Sequence, residues 1–403
     1  MRDPGSGGEG PRGSRPHVLI VGGGGTGGAV AHDLTLRGVA VTLVERGELT
    51  SGTTGRHHGL LHSGARYAVK DAESAVECIE ENRILRRIAP GSFEENDGLF
   101  VAVNDDDMDY MPSFIDACQR SDIPVRQLSR AETLALEPNL NPELRGSVQV
   151  PDGTMDAMRL ALRFFATAQA NGARIRAFTE VTSVVTSARS VTGVMVRDRR
   201  TGRDERLDAD IVVNATGPWS ESLARMAGVD VPIQPSPGVL VALRGRVVNM
   251  VINRLHPAGD GDIVLPQRNL AVVGTSSWVV SDPDDLGVPE DHVQTMRREG
   301  SKLVPAVATM EQWAAWSAAR PLIGEGGASS GRELSRTFKC FDHKERDGVE
   351  GFVTITGGKA TTLRGMAETT ANVVCAKLGL EAPCQTRETP LLPYSRYYLE
   401  EVA

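Results

Sequence analysis

Short apolar runs alternating with amphipathic stretches set the frame of this chain. His17–Val21 (HVLIV) is continuous and β-branched, as expected of a strand buried on both faces of a parallel sheet. A glycine cluster follows, then helical periodicity over 29–37, then a second β-branched run at 39–44. Together they predict a β–α–β unit. A longer amphipathic helix is predicted over Ala72–Ile88, with Arg86 and Arg87 near the end where the helix dipole favours cations. Residues 110–119 and 158–171 read as helices, the second stopped by Gly172. Strand-like runs follow at 175–178, 181–185, 191–196 and 211–214, with Thr201 and Gly202 at a predicted hairpin turn.

From 225 to 331 strands dominate, at 239–243, 248–252, 263–265, 271–273 and 278–280, and predict a mostly antiparallel sheet. The β–α pattern returns at 351–378. The expected organisation is an α/β nucleotide-binding fold that is opened, interrupted twice and closed. Segments 17–90, 149–224 and 332–385 would form it, 91–148 and 225–331 a substrate domain, and 386–403 a tail. Residues 1–16 are rich in Gly, Pro, Ser and Arg without an apolar run, so a flexible leader is expected rather than a signal peptide. No stretch approaches the roughly 18 apolar residues of a membrane span, which leaves only peripheral membrane contact open.

Composition works by exclusion. A net charge of −8 over 403 residues and an aromatic content of 4% argue against a nucleic-acid partner, which needs a basic face. The five cysteines (Cys78, Cys118, Cys340, Cys375, Cys384) make no CxxC pair and no zinc spacing. A reducing cytoplasm is expected, without a bound metal or cluster.

The glycine cluster GGGGTG at 22–27 fits G-x-G-x-x-G, and Glu45 lies 18 residues beyond Gly27. Gly22 would permit the tight turn, Gly24 the approach of a pyrophosphate, and Gly27 the packing of helix on strand. Glu45, at the end of the second strand, would accept hydrogen bonds from ribose hydroxyls. Two further strands end in glycines: IVVNATG at 211–217, with Ala215 and Gly217, and FVTITGGK at 352–359, with Gly357, Gly358 and Lys359. A helix start after the second could face developing negative charge on a reduced flavin. The three segments together favour FAD over NAD. Arg46, Thr53, Thr54, His58, Gly59, Leu61 and Val181 complete the expected cofactor set.

The stretch from Thr50 to Tyr67 packs His57, His58 and His62 with Arg56 and Arg66 among glycines at 52, 55, 59 and 64, a composition suited to close ligand approach. His62 is the candidate base or polariser, because an imidazole near neutral pKa suits proton transfer. Hydrogen bonding to flavin or backbone is its alternative role, and His57 and His58 are weaker candidates for the base.

These residues resemble the FAD-dependent glycerol-3-phosphate dehydrogenases, in particular the catalytic A subunits of the anaerobic type. The resemblance rests on GRHHGLLHSGARYAV (55–69), DAESA (71–75), VPDGT (150–154), VINR (251–254), ARPL (319–322) and TITGGK (354–359), and runs in order over 17–385. It implies a glutathione-reductase-like FAD-binding Rossmann domain of the D-amino-acid-oxidase group, with an antiparallel-sheet substrate domain. It also implies that Arg66 and Tyr67 lie beside the substrate, and that Arg254, Arg320, Arg336 and Lys359 supply its positive lining. Arg320 is counted with His62 as catalytic. A phosphate dianion needs such a cluster, since Arg offers bidentate, always-charged donors.

The implied reaction oxidises the C2 alcohol of glycerol 3-phosphate to a ketone. Its electrons would pass to an external acceptor, a quinone or partner subunits, in the cytoplasm or at the inner face of the cell membrane. Where relatives carry Lys-Gly ahead of a substrate-domain strand, this chain has Pro237 and Gly238, one ammonium fewer. Longer relatives continue into a cysteine-rich module, so the flavin here is expected to pass its electrons directly outside the chain. Rival readings are a 2-hydroxy-acid dehydrogenase of the 2-hydroxyglutarate type, which would bind a carboxylated alcohol, an amine oxidase of the same fold, and a non-catalytic flavoprotein.

Overall fold

In the computed structural model, which describes residues 15–324 and 336–402, the strand His17–Val21 lies inside a six-stranded sheet. The expected leader up to residue 14, and residues 325–335, lie outside the described residues. The sheet order is Phe338–Asp342, Phe352–Gly357, Ile211–Asn214, His17–Val21, Ala40–Val44, Arg174–Arg176. All neighbours are parallel except Phe338–Asp342, which caps the edge antiparallel to Phe352–Gly357.

Strand alternation builds two cores at once. Val18 and Ile20 face a layer of three helices, Gly25–Leu36, Ala157–Ala170 and Leu363–Lys377, whose apolar positions share one cluster with them. Leu19 and Val21 face the other way, onto Val191, Val194 and Val196 of an antiparallel three-stranded meander (Thr179–Ser187, Ser190–Asp198, Asp204–Asp208) and the Ser220–Met226 helix. A strand covered on both faces needs a continuous apolar run, which is why HVLIV does not alternate with polar residues.

A second sheet has eight strands, in the order Gln312–Ile323, Ile233–Arg244, Leu270–Gly274, Ile263–Gln267, Val251–Arg254, Gly98–Ala102, Gly146–Val150, Arg126–Ser129. It is antiparallel throughout except where Val251–Arg254 runs parallel to Gly98–Ala102. The helix Glu290–Leu303 packs on it through Val293, Met296 and Leu303.

Several expectations need correction. The first helix begins at Gly25, inside the glycine motif, because backbone geometry rather than apolar periodicity starts it. The run 278–280 is no strand. It lies beside Ile233–Arg244 and gives two N–H groups, from Trp278 and Val280, to the carbonyls of Pro237 and Pro235. Both prolines lack the N–H that would continue the ladder. The 225–331 region also holds the Glu290–Leu303 helix and the twelve-residue strand Gln312–Ile323, neither of them anticipated.

Candidate active site

The carboxyl ends of the parallel strands and the near face of the eight-stranded sheet enclose a cavity of about 1250 Å³. Ordinary ligand pockets span about 300–1,000 Å³, so this one has room for a dinucleotide and a small second molecule. Three strand ends open directly into it, at Val21–Gly22, Ala215–Gly217 and Thr356–Gly358. That is where open α/β sheets bind ligands.

At the first end, glycine is obligatory. Gly22 has φ +115°, and a Cβ there would lie 2.5 Å from the Ala215 carbonyl oxygen. A Cβ on Gly27 would lie 2.0 Å from the Gly22 carbonyl oxygen. Gly24 caps the helix Gly25–Leu36 without a side chain, and no acid occupies its first turn. The Gly25 N–H donates to Thr54 Oγ1 at 3.0 Å. The Glu45 carboxylate accepts from the N–H groups of Gly23 (2.7 Å) and Gly47 (2.8 Å), which fixes it at the cavity edge. Arg46 stacks on Trp219, 4.6 Å from its ring centre, and pairs with Asp284.

Cations gather at the other end. Arg320 projects from Gln312–Ile323 into the loop 275–277, donating to Thr275 Oγ1 (2.6 Å), the Ser276 carbonyl (2.7 Å) and Ser277 Oγ (3.3 Å). It also donates to the Ser236 hydroxyl and carbonyl, each at 3.2 Å. Every one of these partners is neutral, and among the described residues no carboxylate pairs with it. Burial, with Arg336 and Arg66 nearby, pulls its pKa down to about 9. Arg66 instead has a counter-ion, Asp262 at 2.6 Å. Burial opposes ionisation of Asp262, but Arg66, His256 and the Gly259 N–H together hold it below the usual carboxylate range. Lys359 Nζ lies 5.2 Å from the Tyr67 ring centre and donates to the Arg336 carbonyl. Burial pushes the Tyr67 hydroxyl up to about 12, so it stays protonated.

Between the two ends runs a row of rings. His57 to His58, His58 to His62 and His62 to Tyr67 have centroids 6.1, 6.0 and 5.3 Å apart. Burial lowers all three imidazoles, His57 to about 4, His58 to about 3 and His62 well below 6.5. They are neutral at physiological pH, and His57 and His58 each accept a backbone N–H on Nδ1, from Gly59 and Leu60. The His62 backbone is clamped by Thr361 Oγ1 at its N–H and Asn82 Nδ2 at its carbonyl. Its Nε2 stands 3.5 Å from the Tyr67 hydroxyl.

Most of the expected site residues line this cavity, but four do not. Gly27 and Leu61 are buried in the packing beneath it. Gly59 is held at φ +84°, where a Cβ would lie 2.0 Å from Gln267 Nε2. Arg254 turns away, bound bidentately to the buried Asp107 at 3.0 and 3.1 Å. It borders a separate cleft of about 260 Å³ with His256 and Asp262. Sequence reasoning passed over Ser236, Thr275 and Ser277, which hold Arg320, and Trp219, which supports Arg46. Isolated hydroxyls carry no motif, but Trp219 follows the ATGP turn closely enough to have been considered.

The residues fit a dinucleotide with a redox-active ring. The helix start, whose N-cap Gly24 brings no side chain, offers first-turn N–H groups beyond that of Gly25 to a pyrophosphate. The Thr356 hydroxyl is buried at the cavity wall without a partner, an atom that a ligand would satisfy. Residues 17–372 match the model of a family described as FAD dependent oxidoreductase. The chain is 43% identical over 376 residues to the A subunit of the anaerobic glycerol-3-phosphate dehydrogenase of Escherichia coli (strain K12), covering 93% of this chain and 69% of that one. The fold is that of the FAD-complexed glycerol-3-phosphate dehydrogenase from Bacillus halodurans (TM-score 0.73, 23% identity, 96% of this chain and 71% of that one). It is equally that of the L-α-glycerophosphate oxidase of Mycoplasma pneumoniae with FAD bound (TM-score 0.74, 20% identity, 94% and 99%). The chain therefore belongs to the FAD-dependent oxidoreductases, in the family of the anaerobic glycerol-3-phosphate dehydrogenase A subunits.

Proposed function

We propose that this protein is an FAD-dependent glycerol-3-phosphate dehydrogenase that converts sn-glycerol 3-phosphate to dihydroxyacetone phosphate. Arg320 carries the reading. A guanidinium inside the cavity, facing only neutral oxygens, is a site prepared for an anion. Relatives named for this activity supply the identity of that anion.

Bound FAD supplies a two-electron acceptor for the hydride leaving C2. Gly22, Gly24, Thr53, Thr54, Glu45 and Arg46 would hold its dinucleotide portion, and His58, Ala215, Gly217, Gly357 and Gly358 its ring portion. Arg320, Arg336, Arg66 and Lys359 bind the phosphate and fix the C2 carbon in place. His62, neutral and backbone-clamped, takes the proton of the C2 hydroxyl, so that alcohol becomes ketone with loss of one hydride and one proton. Tyr67, held protonated, supports His62 and confines the substrate. Electrons then leave to an external acceptor, a quinone or partner subunits. Among the described residues no helix is long and apolar enough to cross a membrane. The reading is of a cytoplasmic enzyme, with any membrane contact peripheral.

Pro237 favours a second reading. It places no ammonium beside Arg320, and a 2-hydroxy acid could use the same arginines through its carboxylate. Anaerobic bleaching of the flavin separates the two. Glycerol 3-phosphate should bleach it, whereas 2-hydroxyglutarate and amino acids should not. Absence of bleaching by millimolar glycerol 3-phosphate would overturn the proposal.

A further inference from the structure

Of the residues that line the cavity, only Lys70, Ser222, Met226 and Asp284 are exposed to solvent. Three of them lie at the dinucleotide end. Ser222 and Met226 belong to the helix that follows Ala215–Gly217, and Asp284 pairs with Arg46. Lys70 stands apart from these. It lies in the turn that starts at Tyr67, its N–H donating to the Tyr67 carbonyl at 3.0 Å, and so marks the opening at the cation end.

No structural duty accounts for this charge. Among the described residues no carboxylate pairs with the Lys70 ammonium, whereas Arg66 faces Asp262 at 2.6 Å and Lys359 lies 3.6 Å from Glu77. Lys70 also directly precedes Asp71, the N-cap of the helix Ala72–Ile88, where the helix dipole disfavours a cation. The inner cations cannot do its work at a distance. The side chains of Arg66 and Lys359 are only 11% and 7% exposed, and their counter-ions cancel much of their field outside the cavity. A chain of net charge −8 repels an approaching dianion, and an exposed, unpaired ammonium at the mouth reverses that locally.

We propose that Lys70 captures the anionic substrate at the mouth and steers it inward to Arg66 and Arg320, which then hold it. The inference rests on the reading of the substrate as a phosphate ester. Lys70 would set the rate of productive encounter and leave the chemical step untouched.

The test is kcat/KM for glycerol 3-phosphate as a function of ionic strength, with a neutral quinone at saturation as acceptor. At low salt Lys70→Gln should lower kcat/KM about threefold and Lys70→Glu about tenfold, with kcat and flavin content unchanged. Both variants should converge on wild type at about 1 M salt, where the screening length is about 3 Å. Lys70→Arg, which keeps the charge, should behave as wild type. A wild-type kcat/KM in Lys70→Glu at low salt would overturn the proposal. So would a loss that persists undiminished at high salt, or one that Lys70→Arg shares. Wild-type holoenzyme that oxidises no glycerol 3-phosphate at any salt concentration would instead overturn the substrate reading, and this role with it.

Discussion

Gly238 makes room for Arg320: a side-chain carbon at 238 would lie 2.3 Å from one of the guanidinium nitrogens and 2.6 Å from the Ser276 carbonyl oxygen. The guanidinium therefore depends on the absence of a neighbour as much as on its hydroxyl partners. Gly238→Ala should push Arg320 off these oxygens. The KM for glycerol 3-phosphate should rise at least about tenfold, while flavin absorbance of the purified protein stays near wild type. Steady-state kinetics with an artificial acceptor reads the first quantity, and the ratio of flavin to protein absorbance the second.

Asp262 neutralises Arg66 inside the protein, and their side chains are only 3% and 11% exposed. Asp262→Asn keeps the shape but leaves the guanidinium without its charge partner. Breaking a buried pair in this way costs about 3–5 kcal/mol. A bound phosphate would restore part of that loss. The expected result is a lower Tm than wild type, with a larger upward shift on adding glycerol 3-phosphate.

Glu81 and Arg364 form a second buried pair, and neither residue lines the cavity. Arg364 Nε lies 2.9 Å from Glu81 Oε2, and Glu368 also faces the guanidinium at 2.7 Å. Glu81→Ala should destabilise by about 3 kcal/mol, near the low end for such pairs because Glu368 remains. Urea denaturation of the holoenzyme measures this, and the KM should not move.

Buried histidines predict the acid side of the stability profile. His32 and His57 titrate near 4 and His58 near 3 in the folded chain, against 6.5 when exposed. Between those values the unfolded chain binds more protons, so stability rises with pH across the window. It is fully present above 6.5 and drains away as pH falls toward 4. The Tm should drop on going from pH 7 to pH 5, with protons taken up on unfolding by these histidines and by His62, which burial also holds down. His57→Asn should flatten that slope.

The cofactor end of the cavity was legible because its chemistry is backbone chemistry. Gly22, Gly24 and Glu45 sit at fixed intervals imposed by a strand, a turn and a helix, and an interval can be read from a string of letters. The cation end was legible only in part. Arg66 and Lys359 lie inside recognisable runs, and they do line the cavity. Arg254 lies in a run just as recognisable, yet Asp107, 147 positions earlier, claims its guanidinium. Nothing local to either residue announces that pairing. The strand Gln312–Ile323 escaped for a similar reason. Its two tryptophans and several alanines make no clean alternation, and its partner Ile233–Arg244 is distant along the chain.

The paired carbonyls of Pro235 and Pro237 have one more consequence. Because these prolines accept from the 275–280 segment and have no N–H to return, the backbone ladder between the two runs in one direction only there. The segment's hydrogen bonds to Ile233–Arg244 include the amides of Trp278 and Val280, the N–H of Val239 given to Ser276 Oγ, and the contact of the Ser236 and Ser277 hydroxyls at 3.1 Å. Those amides are thus gauges built beside the anion site. Their deuterium uptake should slow when glycerol 3-phosphate draws Arg320 and its loop together, long before any global unfolding is felt.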